Sequence, residues 1–361
     1  MRPLRERLRG VLGGEKAASR PAAGTRRGPE AVREERLEPG FGHGADRLEL
    51  ARSAHFPSLA VLAGEEALGD YALPDALFLD TETTGLAGGA GTLVFLCGTV
   101  RWDGECFRLR QHFLRGPGEE RRFLAGIAED LERTRLLVTF CGKSFDRHRL
   151  ADRFALQGME SEVRGGAHLD LLHLSRRVWG GLLPDTRLRT LEERVLELER
   201  EEDLPGAECP ALYLDWLRGH AVDLEPAFAH NRLDILSLVT LMARLGRDPW
   251  AGPQPRPLLA AHGERLRKAD PERAAVLFGR ADRPLAQARC LERAGRYAEA
   301  VPLLEGLAAA EDRQALFELG RLYARRLGEP KRAIPYLCQA LDRFSPGDRQ
   351  HEQARRLLAA L

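Results

Sequence analysis

Apolar positions first gather into a dense run at residues 76–82 (ALFLDTE), and again at TLVFLCGTVRW and CFRLRQHFL. The joins between these runs are short and carry glycines (AGGAG and DGE), a pattern that predicts three strands connected as antiparallel hairpins. Next, GEERRFLAGIAEDLERT places its apolar residues at helical spacing. The strand RLLVTF, the helix FDRHRLADRFAL and a strand at AHLDLL follow, and RTLEERVLELE, ALYLDWLRG and EPAFAHNRLDILSLVTLMARL all read as helices. Three antiparallel strands, then strands alternating with helices, predict an α/β domain built on a mixed sheet.

The flanks read differently. Residues 1–51 are rich in Arg, Gly, Ala and Glu and poor in large apolar side chains, so a disordered basic tail is expected there. Its first 27 residues hold eight Arg or Lys against two Glu. At the far end, GRDPWAGPQPRP marks a proline-rich boundary, which divides the chain into an α/β domain at 52–247, a linker at 248–261 and an all-helical domain at 262–361. The helical part repeats itself: GRYAEAVPLL (295–304) aligns with GEPKRAIPYL (328–337) at a period of 33. Small residues at matched positions allow paired helices to approach closely, and stacked pairs share one core.

Bulk charge narrows the function little. The 55 basic and 54 acidic residues nearly cancel, so any polyanion site must be local. Only four lysines accompany 51 arginines, which fits inflated genomic base composition. Six isolated cysteines suggest a reduced, cytoplasmic setting. No apolar run approaches the ~18 residues of a membrane span, and the first ten residues contain no apolar leader.

The chemistry concentrates in carboxylates. Asp80 and Glu82 end the first strand with one residue between them, so their side chains leave on the same face, about 7 Å apart at Cα. Asp146 follows a strand at the start of a helix. Asp234 lies four residues after His230 in the last long helix, on the same helical face. An isolated Asp-x-Glu is most simply a solvated strand end. Several acids in such settings instead suit Mg²⁺ or Mn²⁺, hard cations that take oxygen ligands. Two such ions can neutralise the attacking and departing oxygens of a phosphodiester.

These acids, in this order on this pattern of elements, resemble the DEDD group of ribonuclease-H-like 3′→5′ exonucleases. LDTETTGLAGGAGT, GKSFD, HLDLLHLSRRVW, LEERVL, DLPGAECP and HNRLDILSL further resemble the predicted exonuclease family typified by YprB, across about residues 76–242. The resemblance implies a ribonuclease-H-like fold, a pair of Mg²⁺ or Mn²⁺ ions on Asp80, Glu82, Asp146 and Asp234, and hydrolysis of single-stranded DNA or RNA from the 3′ end. The repeats resemble degenerate tetratricopeptide units, which implies a concave surface for a protein partner; a plain helical cap is the alternative.

Two positions depart from the family pattern. Three residues separate His230 from Asp234, where the histidine variant of the group keeps four, so His230 as general base competes with an ordinary hydrogen-bonded histidine. His220 and His168 are weaker candidates for that role. Cys141 stands where Asn is common, and a thiol cannot supply an amide's donors and acceptors. Lys143 is a candidate phosphate ligand or a solvated loop lysine. Thr83, Thr84 and Gly85 form either a turn or a small segment whose backbone N–H groups meet a terminal nucleotide. Asp170 reads as the cap of the helix that follows it. The glycine-rich GLAGGAGT lacks the Gly-Lys-Ser/Thr of a phosphate loop. Two rival functions remain: a nuclease-fold adaptor without strong catalysis that binds nucleic acid and recruits proteins through its repeats, and a ribonuclease-H-type endonuclease.

Overall fold

A computed structural model describes residues 29–85, 91–160, 166–200 and 204–361. The chain forms two compact units that divide between Asp248 and Pro249.

In the first unit, six strands make one mixed sheet. They are β1 (Val32–Leu37), β4 (Ala76–Thr83), β5 (Val94–Trp102), β6 (Phe107–Phe113), β7 (Leu136–Thr139) and β8 (Ala167–Asp170), in the order β1-β6-β5-β4-β7-β8. A separate two-stranded ribbon pairs β2 (Gly42–His43) with β3 (Asp46–Arg47). The pairs β1–β6, β6–β5 and β5–β4 are antiparallel, whereas β4–β7 and β7–β8 are parallel. The hairpin and crossover pattern predicted from the sequence is therefore the observed one. Helices α1 (Phe56–Ala63), α2 (Glu120–Glu132), α3 (Asp146–Leu156), α4 (Leu171–Trp179), the single turn α5 (Leu188–Leu191), α6 (Cys209–Leu217) and α7 (Glu225–Leu245) flank the sheet. No described helix is long and apolar enough to cross a membrane.

β4 sits inside the sheet, and its alternation sorts two environments. Leu77 and Leu79 join Leu150, Phe154 and Tyr213 in one core cluster. Asp80, on the other face, meets Asn231 of α7. A register shift falls between Glu82 and Thr83, which pair with Leu96 and Val94 and so skip one residue of β5.

The tail expectation needs correction for residues 29–51; residues 1–28 lie outside the described residues. Val32–Leu37 (VREERL) pairs along β6 as the edge of the sheet. Its charged side chains find specific partners. Arg33 forks onto Glu225 at 2.8 and 2.5 Å and lies 3.6 Å above the Phe228 ring, and Glu35 accepts two bonds from Arg232. Leu48, Ala51 and His43 are buried. A low apolar content hid this strand because backbone pairing and ion pairs hold it, and charged side chains suit an edge. Two element limits also shift. The strand at 167–172 ends at Asp170, whose carboxylate accepts from Leu172 N at 3.1 Å and caps α4 as expected. The helix expected over 189–199 becomes α5 followed by a π-type turn, Glu192–Leu196, ending at Glu197 with φ 53°.

The second unit is all helical: α8 (Arg256–Leu266), α9 (Pro271–Arg280), α10 (Pro284–Arg293), α11 (Tyr297–Ala309), α12 (Arg313–Leu322), α13 (Pro330–Arg343) and α14 (Arg349–Ala360). The 33-residue period has a structural counterpart. Ala300 and Ala333 are fully buried, as are Leu304 and Leu337, and Gly295 and Gly328 both take positive φ, 77° and 67°. Gly320 shows why small residues recur, since a Cβ there would lie 2.7 Å from Leu337 Cγ.

Candidate active site

The end of β4 delivers Asp80 and Glu82 towards α7. α7 returns His230, Asn231 and Asp234 to the same place, because positions three and four apart share one face of a helix. His230 Nε2 stands 3.8 Å from Glu82 Oε1 and 3.6 Å from Asp234 Oδ2. Asn231 is fully buried; its Nδ2 donates to Asp80 Oδ2 at 2.9 Å, and its Oδ1 accepts from Gln111 Nε2 at 3.0 Å. The space for this amide comes from Gly98, which pairs with Asp80 in the β4–β5 register. A Cβ at Gly98 would fall 2.3 Å from Asn231 Oδ1. Gly206 closes on the other side, where a Cβ would lie 2.9 Å from His230 Nε2.

Asp146, the first residue of α3, is placed differently. It is buried and accepts a short hydrogen bond from the Thr81 hydroxyl. Thr81 leaves β4 on the face opposite Asp80 and Glu82, so Asp146 approaches the strand end from the other side of the sheet. Its charge still reaches the group. Asp80's carboxyl is held well above the usual range by burial and then by the charges of Asp234 and Asp146, against the Asn231 hydrogen bond. Burial first, then Asp170 and Asp234, push Asp146 up to about 6, against the hydrogen bond from Thr81.

One cation stands among these acids. Arg200 donates to Asp234 and, at 2.5 Å, to Glu192, and its Nη1 lies 3.3 Å from His230 Nδ1. Glu192 is fully buried and also accepts from Ser237 Oγ at 2.5 Å, which is itself 2.8 Å from His43 Nε2. A guanidinium only donates, so Nδ1 of a neutral His230 is the acceptor and its proton sits on Nε2. In this arrangement one side chain engages both the last acid and the candidate base. Nothing in the run ELEREED distinguishes the buried Arg200 from solvated neighbours, so sequence reasoning missed it. Asn231 was more accessible: an amide three residues before Asp234 shares its face.

The carboxylate oxygens suit Mg²⁺ or Mn²⁺ in kind. The geometry is not a closed cage: among the described residues no three His, Cys, Asp or Glu side chains stand ready to hold an ion. Arg200 pairs with one oxygen of Asp234, and the carboxylates present are of the kind that would hold a divalent ion.

The remaining candidates divide. Lys143 pairs with Glu65 at 2.8 Å. Its backbone N–H and that of Cys141 donate to Asp170, at 3.0 and 2.9 Å, fixing the turn before α3. Cys141 adopts φ 65°, a left-handed conformation that Asn tolerates better than Cys, which gives the Asn of the family pattern a backbone reason. Thr83 donates to Gly85 O at 3.2 Å. Thr84 faces inward. It is fully buried, its N–H donates to Leu93 O, and its hydroxyl accepts from Leu93 N at 3.0 Å. Those groups fasten the returning chain. His220 is exposed beside Asp215 at 3.7 Å, and buried His168 lies 2.8 Å from Thr139 Oγ1, so neither joins the acids. Residues 86–90 of the glycine-rich segment lie outside the described residues.

Comparison with known proteins agrees with this architecture. Residues 77–246 match the RNase_H superfamily. YprB of Bacillus subtilis, described as uncharacterized, is 35% identical over 179 residues, which is 49% of this chain and 43% of that protein. The chain thus spans less than half the length of this relative. A solved family B DNA polymerase from Pyrobaculum calidifontis overlaps 56% of this chain and 29% of its own at 16% identity, with a TM-score of 0.38. The mixed sheet, its flanking helices and the superfamily match together identify residues 77–246 as an RNase H superfamily domain, a nuclease fold.

Proposed function

We propose that this domain is a divalent-metal-dependent nuclease of the DEDD type that removes nucleotides from the 3′ end of single-stranded DNA or RNA. The observation that carries the reading is the meeting of Asp80, Glu82, His230 and Asp234 at the end of one strand, with Asp146 behind it on Thr81. RNase H-like nucleases generally use divalent ions, and a pair of Mg²⁺ or Mn²⁺ ions on these acids would supply the charge that stabilises the attacking and departing oxygens of a phosphodiester. Asn231 and Thr81 orient Asp80 and Asp146. His230 takes a proton from the attacking water once Arg200 has left Nδ1. Lys143, Thr83 and Gly85 border the acids, where they can position a terminal phosphate and sugar. Exonuclease polarity rests on the family resemblance alone.

The adaptor reading draws on one specific observation, the hold of Arg200 on both Asp234 and His230. One experiment separates the readings. Purified protein is incubated with 3′- and 5′-labelled single- and double-stranded oligonucleotides, with and without Mn²⁺. The proposal expects a 5′-labelled single strand to shorten stepwise only with metal. Internal cuts would indicate an endonuclease, and intact strands in every condition would favour the adaptor.

A further inference from the structure

The near-neutral chain conceals a strong asymmetry between its units. Residues 249–361 carry 20 Lys or Arg against 14 Asp or Glu, a formal charge of +6, while residues 1–248 carry 35 against 40, a formal charge of −5. The excess in the helical unit is not evenly spread. Two adjoining grooves of about 690 and 500 Å³ run mainly along α8, α10, α12 and α14, sharing Arg289, Glu318 and Arg321. Eight arginines and three glutamates line them.

The glutamates are already committed. Glu264 pairs with Arg267, Glu292 with Arg321, and Glu318 with Arg289 and Arg321. Arg293, Arg325, Arg326, Arg349 and Arg356 remain, all exposed and, among the described residues, without an acidic partner. Like charges held along one groove repel unless an anion joins them. Guanidinium groups present planar forks of donors that match phosphate oxygens.

We propose that this groove binds the phosphodiester backbone of a single-stranded nucleic acid. Charge alone would also suit an acidic peptide, but the lining argues against it. Arginine clusters also read acidic peptide motifs, but most peptide-recognition modes set specificity with side-chain pockets or apolar anchor sites beside the charge. Of the large apolar residues here, Phe278, Phe317 and Leu357 are buried in the helical core, and Tyr297 packs partly buried against it. What the groove offers is guanidinium heads with the amides of Gln314, Gln350 and Gln353, the chemistry of a backbone track rather than an anchor site. The inference is independent of the acid site, because it concerns binding and not hydrolysis.

The test uses the full chain in EDTA, with a fluorescent single-stranded oligonucleotide followed by anisotropy across a salt series. Three proteins are compared: wild type, R325E/R349E/R356E in the groove, and R256E/R283E/R355E, which makes the same charge change at exposed positions outside it. Circular dichroism and melting confirm that each is folded. The groove variant is expected to lose at least about tenfold in affinity. Its slope of log K against log salt should become shallower by about two, from three lost phosphate contacts on a single strand. The control variant should keep most of both. Unchanged binding by the groove variant, or equal loss in both variants, would overturn the proposal. So would displacement of the oligonucleotide by poly-glutamate as effectively as by an unlabelled strand of equal charge, which would assign the groove to acidic peptides.

Discussion

Both units bury an apolar core, but they differ in the polar groups buried with it. Of the 22 buried polar or charged side chains among the described residues, 21 belong to the first unit; the helical unit contributes only His262. The helical core is Ala and Leu with a few aromatics, and its polar groups lie on the surface. Burying a polar group is costly unless each is hydrogen-bonded, and burying a charge costs more. Around the acids the first unit supplies specific partners: Gln111 holds Asn231, Asn231 holds Asp80, Thr81 holds Asp146, and Ser237 and Arg200 hold one oxygen of Glu192. Buried polar chemistry is thus almost confined to the first unit, where it sits beside an apolar core.

The largest expected effect comes from removing an acid. Asp80→Ala and Asp234→Ala should each reduce hydrolysis by at least about a thousandfold, since metal stabilisation of the transition state is worth several kcal/mol and about 1.4 kcal/mol is tenfold in rate. Circular dichroism should stay unchanged. Near wild-type turnover in both purified variants would remove these acids from catalysis.

A single type of substitution sharpens the contrast. Gly98→Ala drives a methyl into Asn231 Oδ1 and should destabilise the first unit by about 1–3 kcal/mol, with activity falling as Asp80 loses its partner. Gly306→Ala, inside α11 with nothing within 4 Å of the new Cβ, should stabilise the helical unit by about 0.5–1 kcal/mol. Chemical denaturation of each variant reads both signs.

Acid should strain the first unit through its buried histidines. Burial, helped by the nearby Arg200 charge, lowers His43 from 6.5 to about 4, and burial lowers His168 to about 4. Both stay neutral in the fold while the unfolded chain takes up protons below about pH 6.5. Their stabilisation is therefore complete above that pH and lost progressively as pH falls towards 4. His43→Gln should flatten the fall in melting temperature across this window. A smaller gain is expected from Cys141→Asn, about 0.5–1 kcal/mol in stability, because Asn accepts φ 65° with less strain.

Much of the site was readable because it obeys simple periods. Alternation placed Asp80 and Glu82 on one face of β4, and the spacing of four in α7 placed His230 beside Asp234. What escaped depends on tertiary context. β1 is charged and held by Arg33–Glu225 and Arg232–Glu35, partners nearly two hundred residues away. The buried pair Glu192–Arg200 sits in a stretch that composition assigns to solvent. The opposite-side approach of Asp146 depends on the Thr81 hydroxyl, and the residue between two acids carries no periodic signal of that contact.

In the proposed function Asp80, Glu82, Asp146 and Asp234 are oxygen ligands for divalent ions, and Arg200 competes for Asp234. Calorimetric titration of Mn²⁺ into the intact chain, beside Asp234→Asn and the paired variant R200M/E192Q, tests it most directly. Wild type should bind saturably, Asp234→Asn should lose at least about tenfold, and binding should tighten where Arg200 no longer competes for the carboxylate. Saturable binding by none of the three folded proteins would contradict it.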